Sequence, residues 1–450
     1  VTPPEPLRAA VASVRSQYLW EPMLAAYNHP LRLSADASRV VVRPFHLAWQ
    51  ANGAEPGRAQ RLVRAVLDLD AAETRWQLDL VLADFEARHW QTRRVFETRF
   101  DQIRTLLDLD PTDVGEEKRQ LIGAYFCHEY SYAAAALMNP SVVPHPDQSG
   151  LSPSTLRILM SLRAVGEGHI SSVAFREGLI SAGCELTLAP EPPFATAADA
   201  PDADGIYDLD GPTTVYRHPD STLSGTVIFP ITPAQRNGLE DLRLTLFTHD
   251  DGSREYIGTY TAYSGREIQS ELMRTRDFRA IDLVPMRGAA ARNKGMALFP
   301  RKIGGHYMMI GRQDGQNLFL LASDRVDQWE DGDLLLTPAY PWELVQIGNC
   351  GPPIELDEGW LLLTHGVGAM RKYAIGAVLL DKDDPSKLLG RTVEPILAAH
   401  DQDREGYVPN VVYTCGALRH GDHLFLPYGV ADSSVAFAFV PIAELLAKMS

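Results

Sequence analysis

A chain of 450 residues with 45% apolar and 22% charged residues has the composition of an ordinary globular protein, long enough for two units or for one repeat domain with an extension. The formal charge of −16 argues against nucleic acid as a partner, because phosphate backbones are bound by net positive faces, while local arginines stay able to hold a small anion. Cys127, Cys184, Cys350 and Cys415 form no paired motif, no apolar run approaches the roughly 18 residues of a membrane helix, and the chain start lacks a leader pattern, so a reducing cytoplasm is the expected compartment.

In chain order, Arg39-Val-Val-Val-Arg43-Pro44 predicts a short strand ended by proline. From about residue 57 to 165 apolar residues recur at helical spacing, as in Leu62, Val66 and Leu67, then Leu78, Leu82 and Phe85, then Phe96, Ile103, Leu106 and Leu107. Pro111-Thr112-Asp113 with Glu116 has the form of a capped helix start, and Ser152-Pro153 sets a capping hydroxyl before a first-turn proline. Residues 1–167 are therefore expected to form a mainly α-helical N-terminal domain. Its chemistry is sparse. Cys127-His128-Glu129 are consecutive and lack a second ligand cluster, which makes them structural and predicts no metal. His46 reads as a structural histidine, and His89 with the Arg and Glu residues of 72–104 reads as a solvated helix face.

Beyond about residue 168 the pattern changes to short β-rich runs, such as Leu242-Arg-Leu-Thr-Leu-Phe247, Tyr307-Met-Met-Ile310, Trp360-Leu-Leu-Leu-Thr364 and Leu424-Phe-Leu-Pro-Tyr428. Turns at Asp250-Asp-Gly252, Gly304-Gly305, Asp357-Glu-Gly359 and His420-Gly-Asp422 separate them. At roughly 50 residues per four-stranded blade, residues 168–450 predict an all-β, five-bladed propeller as the catalytic domain. Ala322-Ser-Asp324 with Trp329 carries a short echo of the strand-turn signature of other propeller enzymes.

Loops at one face of a propeller converge, so polar stretches distant in sequence can share one site. Glu240-Asp241-Leu-Arg243, followed by Tyr256, Tyr260 and Tyr263, suggests a carboxylate at a sheet end facing the hydroxyls of a sugar. The competing reading is a surface Glu240–Arg243 ion pair with the tyrosines in a core. Three further stretches carry polar groups: Arg292-Asn293-Lys294 to Arg301-Lys302, Gln346-Ile-Gly-Asn349 through His365 to Arg371-Lys372, and Glu405 through Asn410 to Tyr428 and Asp432.

In this order these stretches resemble glycoside hydrolase family 130, the mannoside phosphorylases and related mannosidases. The family's Glu-Asp-Pro-Arg is here Glu240-Asp241-Leu242-Arg243, and later signatures are similar to His365-Gly-Val, Gly376-Ala-Val-Leu-Leu-Asp381, Val408-Pro-Asn410-Val-Val and Tyr428-Gly-Val-Ala-Asp432. The resemblance covers about residues 168–450 and implies a five-bladed propeller. It implies inverting cleavage of a short β-mannoside, β-1,2- or β-1,4-linked, with Asp241 supplying the proton through the mannose 3-hydroxyl and inorganic phosphate as co-substrate, giving α-mannose 1-phosphate. No other cofactor is implied.

Carried over by motif, Arg292, Asn293 and His365 would hold phosphate. Gln346 departs from the lysine common before Ile-Gly and removes one charge; Arg371, Lys372 or Arg176 would compensate. Without compensation water could replace phosphate, with Glu405 or Glu343 as base, which leaves a β-mannosidase as the alternative. Glu240, Arg243, Arg312, Asn410, Tyr428 and Asp432 are candidates for the sugar, and Trp342 or Trp360 could stack on a ring. A non-catalytic carbohydrate-binding propeller is the second alternative. The amphipathic helices would serve packing or self-association.

Overall fold

The computed structural model describes residues 27–47, 57–105, 109–200, 211–400 and 403–450. Strand β1 (Tyr27–Ser34) comes first, and β2 (Val40–Pro44) pairs antiparallel with β3 (Cys127–Ser131). Helices α1 (Arg58–Leu67), α2 (Ala71–Phe85), α3 (Thr92–Arg104) and α4 (Glu116–Tyr125) lie between them in sequence. Asp70 starts α2 with a reciprocal cap: its carboxylate accepts the Ala72 and Glu73 N–H groups at 2.8 Å, and the Glu73 carboxylate accepts the Asp70 N–H at 3.1 Å. Val63, Val66, Phe100, Ile103, Leu121, Ile122 and Phe126 give these helices a core of their own. Among the described residues no helix is long and apolar enough to cross a membrane.

The helices of the N-terminal part end at Tyr125, and this corrects the expected helical domain of residues 1–167. Residues 127–165 instead form β3, β4 (Ala136–Pro144) and β5 (Leu156–Val165). β4 is buried along almost its whole length and β5 along most of it, so their apolar residues run nearly continuously. A continuous run has no period to tell strand from helix. Ser152-Pro153 sits in the β4–β5 hairpin rather than at a helix start. The Asp110 carboxylate turns the chain by accepting the Thr112 N–H at 2.9 Å, and α4 begins later, behind Gly115. His89 is buried, not solvated, with Nε2 2.6 Å from the Glu129 carboxylate. Leu106 and Leu107 lie outside the described residues.

The remainder is a series of antiparallel meanders. β4, β5 and β6 (Ser171–Ile180) form the first, and β7 (Gly238–Thr248), β8 (Arg254–Tyr263), β9 (Ile268–Thr275) and β10 (Ala280–Pro285) the second. One parallel pair, Gly238 with Ser171, joins these two. The third holds β11 (Ala297–Leu298), β12 (Tyr307–Gly311), β13 (Leu318–Ser323) and β14 (Asp333–Leu336). The fourth holds β15 (Gln346–Asn349), β16 (Trp360–Val367), β17 (Tyr373–Leu380) and β18 (Leu388–Arg391). The last holds β19 (Val412–Tyr413), β20 (His423–Val430), β21 (Ser434–Pro441) and, on its outer edge, β1, in which Tyr27 pairs with Phe439.

Each meander packs on its neighbours through a separate apolar layer. Phe175, Leu239 and Tyr260 fill the layer between the first and second, and Ile257, Met309 and Trp329 that between the second and third. Ile310, Ile347 and Trp360 fill the next, followed by Leu363, Ile375 and Leu426. The last meander then returns to the first, Phe425 and Phe437 packing with Met160 and Leu162. Tyr256 and Tyr260 belong to these layers: the Tyr256 hydroxyl donates to Pro144 O at 2.9 Å, and that of Tyr260 to the buried Glu271 at 2.5 Å. They do not face a ligand. Trp342 and Trp360 are also core residues, their indole N–H groups donating to Val393 O and Lys382 O at 2.9 Å.

Candidate active site

Two β-bulges build the centre of the site. In β7 the pairing with β8 runs from Glu240–Thr261 to Arg243–Thr259, so Asp241 and Leu242 oppose a single residue. In β4 the pairing with β5 runs from Met138–Arg163 to Ser141–Ser161, so Asn139 and Pro140 do the same. The first bulge residue is left-handed in both, φ 55° for Asp241 and 49° for Asn139. Short polar side chains tolerate that conformation best, and a bulge re-aims the side chain it carries. The two meet: Asn139 Nδ2 donates to Asp241 Oδ1 at 2.6 Å.

Arg163, near the end of β5, clamps both acids. Its Nη2 donates to Glu240 at 2.6 Å, its Nη1 lies 3.3 Å from Asp241 Oδ1, and its Nε donates to Ser171 Oγ at 2.9 Å. Arg243 is buried and does not pair with Glu240. It donates to Asp241 O at 2.9 Å and to the Tyr413 hydroxyl at 2.6 Å, fixing the bulge to β19. The surface ion pair is not formed, and of the three tyrosines Tyr256 and Tyr260 belong to the core while the Tyr263 hydroxyl donates to Gly265 O at 3.2 Å.

His365 on β16 stands opposite Gly348, and Gln346 shares that face of β15 two residues away. A Cβ on Gly348 would lie 2.2 Å from the His365 ring, so only glycine leaves room there. His365 Nδ1 is 3.1 Å from Asn349 O, an acceptor, so Nδ1 carries the hydrogen and Nε2 presents a lone pair. Asn349 is tied in turn, its amide donating to Gly295 O and to Ile310 O.

The charges explain the ionisation of the site. Burial raises the Asp241 carboxyl, but Arg163, Arg243, the Asn139 amide and Lys294 outweigh it and hold it below the usual aspartate value. Glu240 is raised by burial and by the Asp241 charge, against the pull of Arg163. Asp432, left-handed at φ 49° in the β20–β21 turn, is raised to about 6 by burial and by Asp241, with Arg163 and Arg371 opposing. His365 is pushed down to about 3 by burial and then by Arg312, and is neutral. Arg312 Nε and both amide atoms of Gln313 are buried without partners.

The remaining expected residues divide. Asn410, left-handed at φ 63°, accepts the Tyr373 N–H and joins the rim, whereas Asn293 is occupied in holding Gln313 O at 2.6 Å. Arg292 is exposed on a short 3-10 turn beside it. Arg176 is a correction: it lies five residues beyond Ser171 along β6 and pairs with Glu191 at 3.1 Å, away from Asp241. Tyr428 is another, buried among Leu424, Leu426 and Val430. Glu343 cannot serve as a base, since it is fully buried against Arg391 at 2.5 Å and accepts two backbone N–H groups. A cavity of about 440 Å³ beside α3, lined by Trp90, Arg94 and Arg99, holds none of the site residues.

A family profile described as beta-1,4-mannooligosaccharide phosphorylase matches residues 224–450, half of the chain. The chain belongs to glycoside hydrolase family 130. Among its curated relatives, a 1,2-beta-oligomannan phosphorylase of a Thermoanaerobacter species is 38% identical over 155 residues, 34% of this chain and 52% of that one. A beta-1,2-mannobiose phosphorylase of Listeria innocua is 33% identical over 231 residues, 49% of this chain and 63% of that one. The chain thus spans between half and two-thirds of the length of these relatives. The structure of a Listeria innocua beta-1,2-mannobiose phosphorylase superposes with a TM-score of 0.51 over 70% of this chain and 92% of that one at 23% identity, a likeness of fold. In this family 130 chain Asp241 and His365, 124 residues apart, meet in one group of charges.

Proposed function

We propose that the protein is an inverting mannoside phosphorylase built as a five-bladed propeller, the meanders being its blades. The observation that carries this reading is the charge balance around Asp241. Arg163, Arg243, Lys294, Arg312 and Arg371 act on Glu240, Asp241, Asp432 and His365, so five cationic side chains meet three carboxylates beside a neutral imidazole. That gathering of cationic side chains, in a chain of net charge −16, suits a phosphate anion.

Phosphate attacks the anomeric carbon from the face opposite the leaving oxygen, and inversion gives α-mannose 1-phosphate. Asp241 delivers a proton to the leaving group through a sugar hydroxyl, and Asn139 and Arg163 fix its carboxylate. In the free site cations keep Asp241 ionised. An arriving dianion offsets them, raises the carboxyl and loads the acid only when the nucleophile is present. His365 Nε2 accepts a hydroxyl hydrogen, from the sugar or from a protonated phosphate oxygen. The names of the relatives support a β-1,2- or β-1,4-linked mannobiose or oligomannoside as substrate.

Gln346 favours the rival reading, hydrolysis on the same scaffold, because its side of β15 brings an amide toward His365 where a lysine would bring a charge. Incubation with β-1,2- and β-1,4-mannobiose in phosphate buffer, followed by phosphorus NMR, separates the two. Mannose 1-phosphate is the expected product, and free mannose as the sole mannosyl product refutes phosphorolysis.

A further inference from the structure

On the reading above, the mannosyl unit must enter far enough to reach the half-buried Asp241, so the rest of the saccharide has to lie toward the rim. Two aromatic side chains stand there together. His169 occupies the β5–β6 turn with φ 59°, two residues before the Ser171 that receives Arg163. Tyr407 is 61% exposed, and its ring centre lies 5.9 Å from that of His169 with the planes 31° apart.

Each is fixed to the site by its neighbours. The residue after Tyr407, Val408, donates its N–H to Ala431 O at 2.9 Å, and Ala431 precedes Asp432. The β5–β6 turn is closed by Gly166 N–H to Ile170 O at 3.1 Å, and the Tyr130 hydroxyl donates to Glu167 O at 2.9 Å. The rings therefore bridge the first and last meanders on the side of Arg163 and Asp432. An exposed aromatic face with a propped partner stacks well on the C–H face of a pyranose. Nothing in the folding of the chain requires Tyr407 there, since most of its surface is open to solvent.

We infer that Tyr407, propped by His169, is a stacking platform for the sugar on the leaving side of the scissile bond, and so sets acceptor and chain-length preference. The test measures release of the leaving saccharide from β-mannobiose and β-mannotriose, which reads cleavage by either nucleophile. Tyr407→Ala should raise KM for both sugars about tenfold, as loss of an aromatic stacking contact does, with kcat within twofold and the melting temperature unchanged. Tyr407→Phe should stay within twofold of wild type. A wild-type enzyme that cleaves both sugars while Tyr407→Ala leaves both KM values within twofold overturns the platform and leaves the mannoside reading intact. A wild-type protein that cleaves neither overturns both.

Discussion

Replacing Asp432 by asparagine should make the protein more stable at alkaline pH. The Asp432 carboxyl is raised from 3.8 to about 6 by burial and by the Asp241 charge. A carboxyl whose folded value exceeds its unfolded value costs nothing below about pH 3.8, where both states hold the proton. The cost grows between the two values and is complete above about pH 6. A rise of about 2.2 units corresponds to about 3 kcal/mol of destabilisation at pH 8 and to about 0.5 kcal/mol at pH 4. Unfolding entropy of roughly 0.9 kcal/mol/K for a chain this long turns 3 kcal/mol into about 3 °C. Asparagine keeps the shape and removes the charge. Thermal scans of Asp432→Asn against wild type should therefore show a gain of about 3 °C at pH 8 that shrinks to under 1 °C at pH 4. An equal shift at both pH values, or a loss at pH 8, would refute the assigned charge environment. Lower turnover is expected alongside the gain, because the proposed sugar site loses a carboxylate.

Four other outcomes follow from the same geometry. Asp241→Asn should lower turnover 10²- to 10⁴-fold, the usual contribution of a positioned acid, in a coupled assay of mannose 1-phosphate release. Gly348→Ala forces a Cβ into the His365 ring and should cost about 1–3 kcal/mol in denaturant unfolding, with activity falling in parallel. Glu343→Gln strands the buried Arg391 and should cost about 3–5 kcal/mol, read as a lowered unfolding midpoint, with KM for phosphate unchanged. Phosphate binding should take up protons at about pH 8.5, where free phosphate is already the dianion, because the dianion offsets the cations that hold Asp241 down; calorimetry in two buffers of different ionisation heat measures the uptake, and none would contradict the loading of the acid.

Half of this site was legible in the sequence, and the divide has a physical cause. Asp241, His365 and Arg243 sit in strands bounded by clear turns and Asp432 in such a turn, so their motifs could be read and their convergence expected. Arg163 and Asn139 sit in β5 and β4, whose almost fully buried runs read as helix. A residue assigned to the wrong element cannot be brought to the right sheet end. The usable signal was the asparagine in Met138-Asn139-Pro140, which matches Asp241 and Asn410 as a short polar residue followed by an apolar one; all three are left-handed. Partner choice was not legible at all. Arg243 turned from its sequence neighbour Glu240 to Tyr413, 170 residues away, because packing between meanders sets which hydroxyl lies within reach.

The pairing of β1 with β21 gives the helices a different standing from the one their position in the chain suggests. Tyr27 is held against Phe439, so α1 to α4 leave and re-enter a structure that is already closed on both sides of them. They are an insertion in the ring rather than an appendage in front of it. Cutting the chain at residue 167, the boundary expected from the sequence, would also remove the edge strand of the last meander and two strands of the first, together with Asn139 and Arg163. Closing a loop of some 400 residues in an unfolded chain carries an entropic cost of about 5 kcal/mol, which the pairing of β1 has to offset. Excising residues 58–125 and rejoining β2 to β3 by a short turn is the deletion that respects this architecture.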